Sequence, residues 1–283
     1  MAAELIQLNP GQQVERWTIE KKLGEGGFGA VYRVLDPTGK YAMKVEGANE
    51  QIQVLKLEVS VLTELTKRGN RHFCKIEDKG RFGNFNYVVM TLVGKSLQDL
   101  NKAGPGGHMT MGCSIAIGIQ ALEALEDLHN VYILDFGMCR KFTGNDGTIR
   151  KPRQAAGFRG TVRYAPISCH MQRELCRKDD LETWMYMQVE LSYGQLPWHH
   201  VNDMNQVGQA KQQIRNNLAA LFPPPCPQEF QEILRMVDSL KYYDAPNYAA
   251  CYGTMRRAFG STGTQEAAPY DWENGGPAAH LLQ

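Results

Sequence analysis

Apolar and polar positions alternate through the first third of the chain, then settle into spacings of three and four for most of the remainder. Trp17–Leu23, Ala30–Leu35 and Tyr41–Val45 cluster or alternate apolar and β-branched residues. Glycines and the turn Asp36-Pro37-Thr38-Gly39 separate them, which predicts strands joined by tight turns. Glu50–Lys67 places Leu55, Leu57, Val59, Val61, Leu62 and Leu65 on one broad face, a helix pattern. Cys74–Asp78 and Asn84–Leu92 read as two further strands. After Gly94 the helical period takes over. Met111–His129 carries Ile115, Ile119, Leu122, Leu125 and Leu128 at helical spacing, and Asp179–Tyr193, Met204–Leu221, Pro227–Leu240 and Asn247–Phe259 fit further helices. A β-rich lobe followed by a helical lobe is an α+β arrangement. From Gly260 on, glycine, threonine, alanine and proline suggest a tail, onto which Tyr270 and Trp272 could dock it.

Composition changes this picture little. A chain of 283 residues, 43% hydrophobic and 22% charged, can bury a substantial core. A net charge of +1 offers no global field for nucleic acid or an anionic membrane, so neither is expected as a partner. Seven dispersed cysteines (Cys74, Cys113, Cys139, Cys169, Cys176, Cys226 and Cys251) without a CxxC pair argue for reduced thiols. With no secretory signal and no apolar run long enough to span a bilayer, the expectation is an intracellular monomer of the cytoplasm, the nucleus or both.

Candidate chemistry begins at Gly24-Glu25-Gly26-Gly27-Phe28-Gly29. A GxGxxG core can be a plain hairpin or a dinucleotide-binding turn, but the latter requires a helix next, and Val31-Tyr32-Arg33-Val34 is strand-like. The third possibility is a glycine hairpin over nucleotide phosphates, where missing side chains let backbone amides approach the anion. Lys44, between Met43 and Val45, is either a solvated edge charge or the strand lysine that accompanies such a loop. Glu58 lies among leucines, a poor place for a lone charge, and Lys44 is its candidate partner; the plain alternative is an exposed helix glutamate.

Later strings give these pieces an order. Ile133-Leu134-Asp135-Phe136-Gly137, Phe158-Arg159-Gly160-Thr161-Val162-Arg163-Tyr164-Ala165, Asp179-Asp180-Leu181-Glu182 and Gly194-Gln195-Leu196-Pro197-Trp198 follow in turn. Over residues 14–260 the chain resembles the casein kinase 1 superfamily of protein kinases, and within it the tau-tubulin kinase branch. The resemblance implies a two-lobed protein-kinase-like fold, with an N-lobe over 14–93, a C-lobe over 94–260 and a tail over 261–283. It implies that Gly24, Gly26, Gly29 and Val31 cover ATP and that Lys44, paired with Glu58, contacts phosphate. Met90 would be the gatekeeper, with Thr91 to Val93 as the adenine-facing hinge. Asp135 would bind Mg2+, and Asp180 would brace the catalytic-loop region. Pro166, where the family tends to have serine, is a departure.

One part is absent. A kinase carries H-R-D-L-x-x-x-N between the long helix and DFG, its aspartate taking the substrate proton and its asparagine holding metal. Here Leu128-His129-Asn130 runs straight into Val131-Tyr132-Ile133-Leu134-Asp135, about twenty or more residues short of the family's length. The deletion in the C-lobe catalytic loop leaves two readings open, a skipped segment of a kinase gene or a pseudokinase scaffold. Either way the chain is expected to lack a catalytic base, to be catalytically deficient and to keep weak ATP and Mg2+ binding. The strand Val131–Leu134 must then serve where the family has two, and the favoured threading has the helix unwind before His129 so that Asp135 keeps its place. Lastly, Arg140, Lys141, Arg150, Lys151, Arg153, Arg159 and Arg163 are opposed only by Asp146 within their segment. This is a solvated loop or, as the resemblance implies, a patch of Arg153, Arg159 and Arg163 for acidic or phosphorylated protein segments. His199 and His200 read as surface residues.

Overall fold

The computed structural model describes residues 6–26, 29–50, 53–67, 69, 71–129, 140–144 and 146–282. They divide into two compact units, one ending at Gly94 and also taking in Arg140, the other made of the remaining residues from Lys95 on.

The first unit is a six-stranded antiparallel sheet, β1 (Gln13–Val14), β2 (Trp17–Gly26), β3 (Gly29–Asp36), β4 (Gly39–Gly47), β5 (Ile76–Phe82) and β6 (Phe85–Thr91), in the order β1-β2-β3-β4-β6-β5. The strand period of two decides which residues are buried together. Trp17 and Ile19, Ala30, Tyr32 and Val34, Met43 and Val45, and Phe85, Tyr87 and Val89 form one apolar core. The alternate residues lie on the other face, against which the helix α1 (Val54–Lys67) packs along β4, β5 and β6. Helix α1 begins four residues later than the periodicity predicts. The cause is Glu46, buried at the end of β4, whose Oε1 accepts from the amides of Val54 (2.8 Å) and Leu55 (3.2 Å) and so fixes the first turn.

The second unit is helical: α2 (Leu97–Ala103), α3 (Met111–His129), α4 (Ile167–His170), α5 (Arg177–Tyr193), α6 (Met204–Gln213), α7 (Leu218–Leu221), α8 (Glu229–Ser239) and α9 (Tyr248–Ser261). Helix α3 packs against α5 and α9, and α8 joins α5 to α9. Gly118 lets α3 approach them, since a Cβ there would stand 2.5 Å from the Gln188 amide nitrogen and 2.6 Å from the Met255 methyl. The tail docks as expected: Tyr270 and Trp272 stack on each other and pack on the cluster of Leu100, Met109, Cys113, Ile117 and Leu191.

Three expectations change. The stretch Met204–Leu221 is not one helix, because the chain tightens at Ile214–Asn216 and leaves helical geometry at Asn217. That break turns Arg215 inward to Glu182 (2.9 Å) and Asp238 (2.8 Å). Helix α2 has no counterpart in the apolar pattern, although Ser96 caps it by accepting from the Asp99 amide. Finally, α3 does not unwind before His129. It runs through that residue, whose buried ring bonds Asp180 and Tyr248. The rest of the threading question, with Asp135 and Val131–Leu134, lies outside the described residues.

Candidate functional site

In the first unit, Lys44 lies in the middle of β4, with Val31 of β3 and Val88 of β6 as its register partners, so the three share a face. On that face its ammonium meets the carboxylate of Glu58 from α1. Neither is a solvated edge charge: the lysine side chain keeps 26% of its exposure and the glutamate 12%. An ion pair this far withdrawn from water persists only when the two groups are held together by their elements, here a central strand and a packed helix.

The glycines before β3 divide by physical need. Gly29 is required by the chain itself, since at φ +145° a Cβ would lie 2.0 Å from the Val45 carbonyl oxygen. Gly24 and Gly26 meet no such demand, with nothing within 4 Å of a built Cβ and no left-handed φ. Their glycine character leaves open space over backbone, the feature a phosphate cradle needs. Gly27 and Phe28 lie outside the described residues. Met90 pairs in register with Ala42 and Ile76 and is half-buried. The Thr91 amide is spent on the Lys75 carbonyl (3.0 Å), whereas Val93 is 67% exposed and its backbone forms no hydrogen bond among the described residues. Of the predicted hinge, Leu92 and Val93 are thus the positions whose amides form no hydrogen bond among the described residues.

In the second unit, the strings of the sequence comparison meet around one loop. The carbonyls of four successive residues each receive a side chain: Val162 from Lys211 (2.8 Å), Arg163 from the Trp198 indole (2.8 Å), Tyr164 from the Thr183 hydroxyl (3.0 Å) and Ala165 from Lys211 again (2.6 Å). The Ile167 amide donates to Glu182 Oε1 at 3.0 Å, and the Arg163 guanidinium and Tyr164 hydroxyl both reach Glu190. Thr183 and Glu182 follow Asp180 on α5, and Trp198 ends the Gly-Gln-Leu-Pro-Trp string, so these residues shape the loop backbone from below. Pro166 is accommodated as the residue that opens α4, in extended geometry.

Asp180, in the first turn of α5, is buried and bonds His129 Nε2 at 2.8 Å, with the Tyr248 hydroxyl on the other ring nitrogen. It therefore braces the end of α3. Arg153 is held bidentately by Glu174 (2.8 Å from Nη2), which raises the guanidinium's pKa, and Arg163 is paired to Glu190 at 3.0 Å. Arg159 is exposed and forms no ion pair among the described residues. The opposing carboxylates come from outside the basic segment, so its sequence hid them. Asp135 lies outside the described residues, and among those described no cluster suited to a metal ion occurs. Nor is any described helix long and apolar enough to cross a membrane. Six described cysteines are free thiols.

Lys211 and Glu46 are the site-shaping residues the sequence reading missed. A signal existed for Lys211, which follows Val207 by four residues and shares its buried helix face. Glu46 had none, because its partners are an element away.

No family model matches the chain. Among curated proteins, the serine/threonine-protein kinase spe-6 of Caenorhabditis elegans is 35% identical over 92% of this chain and 76% of its own length. A Dictyostelium discoideum protein named as a serine/threonine-protein kinase is 33% identical over 91% of this chain, which spans only 56% of that relative. A Caenorhabditis elegans protein named as a casein kinase I is 29% identical over 69% of this chain and 65% of its own length. At 35% identity over most of both chains to spe-6, the chain belongs to the serine/threonine protein kinase family.

Proposed function

We propose that this chain is a nucleotide-binding, catalytically deficient member of the casein kinase 1 and tau-tubulin kinase type. The observation that carries the reading is the Lys44–Glu58 pair, retained beside two glycines that nothing in the chain requires. Lys44 would meet the phosphates of ATP, Gly24 and Gly26 would let backbone approach them, Val31 and Met90 would flank the base, and Val93 would offer its amide. Bound Mg2+ would neutralise phosphate charge, with Asp135 as its ligand from this chain.

The deficiency follows from the absent H-R-D loop. General-base assistance is worth about 10²- to 10⁴-fold, and lost positioning adds to that. The relatives support a shortened chain. The alignment with the Dictyostelium protein has 285 positions but takes in 91% of 283 residues, about 258, leaving about 27 positions opposite nothing here. For spe-6, 289 positions take in 92%, about 260, leaving about 29. That length suits the loop missing between Asn130 and Val131. It fits both readings of the gene, a kinase whose other transcripts include the segment and, as the alternative, a pseudokinase scaffold.

The loop arginines would receive acidic or phosphorylated segments. Because Glu174 and Glu190 already hold Arg153 and Arg163, an incoming phosphate must displace a carboxylate at both and meets an unpaired guanidinium only at Arg159.

Calorimetric titration with ATP and Mg2+ tests the core of the reading. Weak binding is expected, and Lys44→Ala should weaken it about tenfold, the worth of one hydrogen bond to a charged group. No heat at millimolar ATP, or equal affinity in the variant, would remove nucleotide binding from the proposal.

A further inference from the structure

A cavity of about 380 Å3 opens within the first unit, between the first turns of α1 and the β5–β6 hairpin. Leu55 and Val59 of α1 give it an apolar wall. Lys56 from the same helix and Lys79 and Arg81 from β5 stand around it, and among the described residues no acidic one lines it. Lys79 and Arg81 are two residues apart on one strand, opposite Val88 and Asn86, and so project from the same face. Gly80 between them faces the other side of the strand, where a Cβ would come within 2.8 Å of the Tyr87 hydroxyl.

Most other cations of the unit are paired, although Lys21 too is exposed and joins no ion pair among the described residues. Arg16 is paired with Asp36, Lys22 with Glu25, Arg33 and Lys40 with Glu20, and Lys44 with Glu58. Lys56, Lys79 and Arg81 are all exposed and join no ion pair among the described residues; Arg81 makes one long bond, to the Gly83 carbonyl at 3.4 Å. Three cations without ion pairs among the described residues, around a concavity of mixed polar and apolar lining, repel one another and gain from any anion that enters. A guanidinium beside an ammonium two residues away suits carboxylate or phosphate groups spaced along an extended chain.

We propose that this groove is a docking site for an anionic peptide segment of a partner protein. An apolar side chain of the segment rests on Leu55 and Val59, and flanking acidic or phosphorylated side chains pair with Lys56, Lys79 and Arg81. The segment would tie α1 to β5. Because α1 also carries Glu58, the partner would steady the helix that positions Lys44. This site is separate from the loop arginines and stands whether or not ATP binds.

The test is fluorescence anisotropy with the full chain and a labelled ten-residue peptide bearing one phenylalanine between two pairs of phosphoserines. Lys79→Glu with Arg81→Glu should weaken binding at least tenfold, and so should Val59→Trp, which fills the cavity. A chain with Arg153→Glu, Arg159→Glu and Arg163→Glu should retain affinity within about threefold, and replacing the phenylalanine by alanine should cost at least fivefold. The Lys79 and Arg81 changes are on exposed positions, so they decide the matter even if Val59→Trp disturbs folding. Binding unchanged by those two reversals, or lost only with the loop arginines, overturns the proposal. Equal affinity for the alanine peptide also overturns it, since it would reduce the contact to charge alone.

Discussion

Lys211 is wholly shielded from solvent, and its surroundings give its charge only partial compensation. Its ammonium donates to the carbonyls of Val162 and Ala165, approaches His170 Nε2 at 3.1 Å, and sits about 5 Å from the rings of Tyr186 and Trp198. Glu182 on α5 favours its charge, while Arg215 opposes it. Cys169 and His170 are the remaining titratable neighbours, on α4. Burial prevails and lowers the lysine from an ordinary value of 10.5 to about 7. Between these two values the unfolded chain holds a proton that the folded chain has released. Stability therefore rises with pH across that window, by up to about 1.4 kcal/mol per unit, and is flat below it, where both states are protonated. Lys211→Met should abolish this slope. Thermal melts of both proteins at pH 6.5, 8 and 9.5 would show wild type gaining on the variant as pH rises. A constant difference would mean that Lys211 stays charged throughout. The variant should also speed amide exchange over residues 161–167, since two carbonyls lose their donor.

Helices show how far the sequence could be read and where it stopped. Helix α3 matches its predicted span because its apolar residues recur every three or four positions from Met111 to His129. Strands β2, β3, β4 and β6 were legible from alternation and glycine breaks. What could not be read was anything fixed by a distant partner. The start of α1 is set by Glu46, the break after α6 by Arg215 reaching Glu182, and the pairing of Arg153 and Arg163 by glutamates outside their segment. The Lys44–Glu58 contact was legible chiefly through the resemblance to protein kinases, helped by the place of Glu58 among leucines. The N-terminus of α3 is another long-range case. Asp271, buried in the tail, accepts from the Thr110 amide (2.7 Å) and hydroxyl, and Thr110 immediately precedes the helix. An anion at that end is also stabilised by the positive end of the helix dipole. Asp271→Ala should cost about 1–2 kcal/mol in urea unfolding, with Asp271→Asn costing less because it can still accept. If the alanine variant unfolds at the wild-type midpoint, the tail is not part of the cooperative unit.

For the molecule as a whole, the proposal of a deficient kinase turns on the junction of Asn130 and Val131, where the sequence carries no H-R-D string. The described end of α3 bears on it. His129 is the last helical residue, and its ring is locked between Asp180 of α5 and Tyr248 of α9. The clamp uses side chains from three helices that pack together without any help from the missing segment. On that proposal the helical unit is expected to fold without the segment, with the His129 clamp next to the point where such a segment would enter. Two outcomes are expected from this. The chain as it stands should transfer no phosphate from ATP to casein with Mg2+, since no aspartate of the H-R-D type is present to take the hydroxyl proton. A chimera with the catalytic-loop segment of the Dictyostelium relative placed between Asn130 and Val131 should melt within a few degrees of the parent and acquire transfer. His129→Ala in that chimera should lower both stability and rate, because Asp180 would be left buried with one partner fewer. Transfer by the parent chain within tenfold of spe-6 would refute the deficiency. A folded chimera that binds ATP but stays silent would show that the loss extends beyond the loop, and that this protein works as a binding module even when its length is restored.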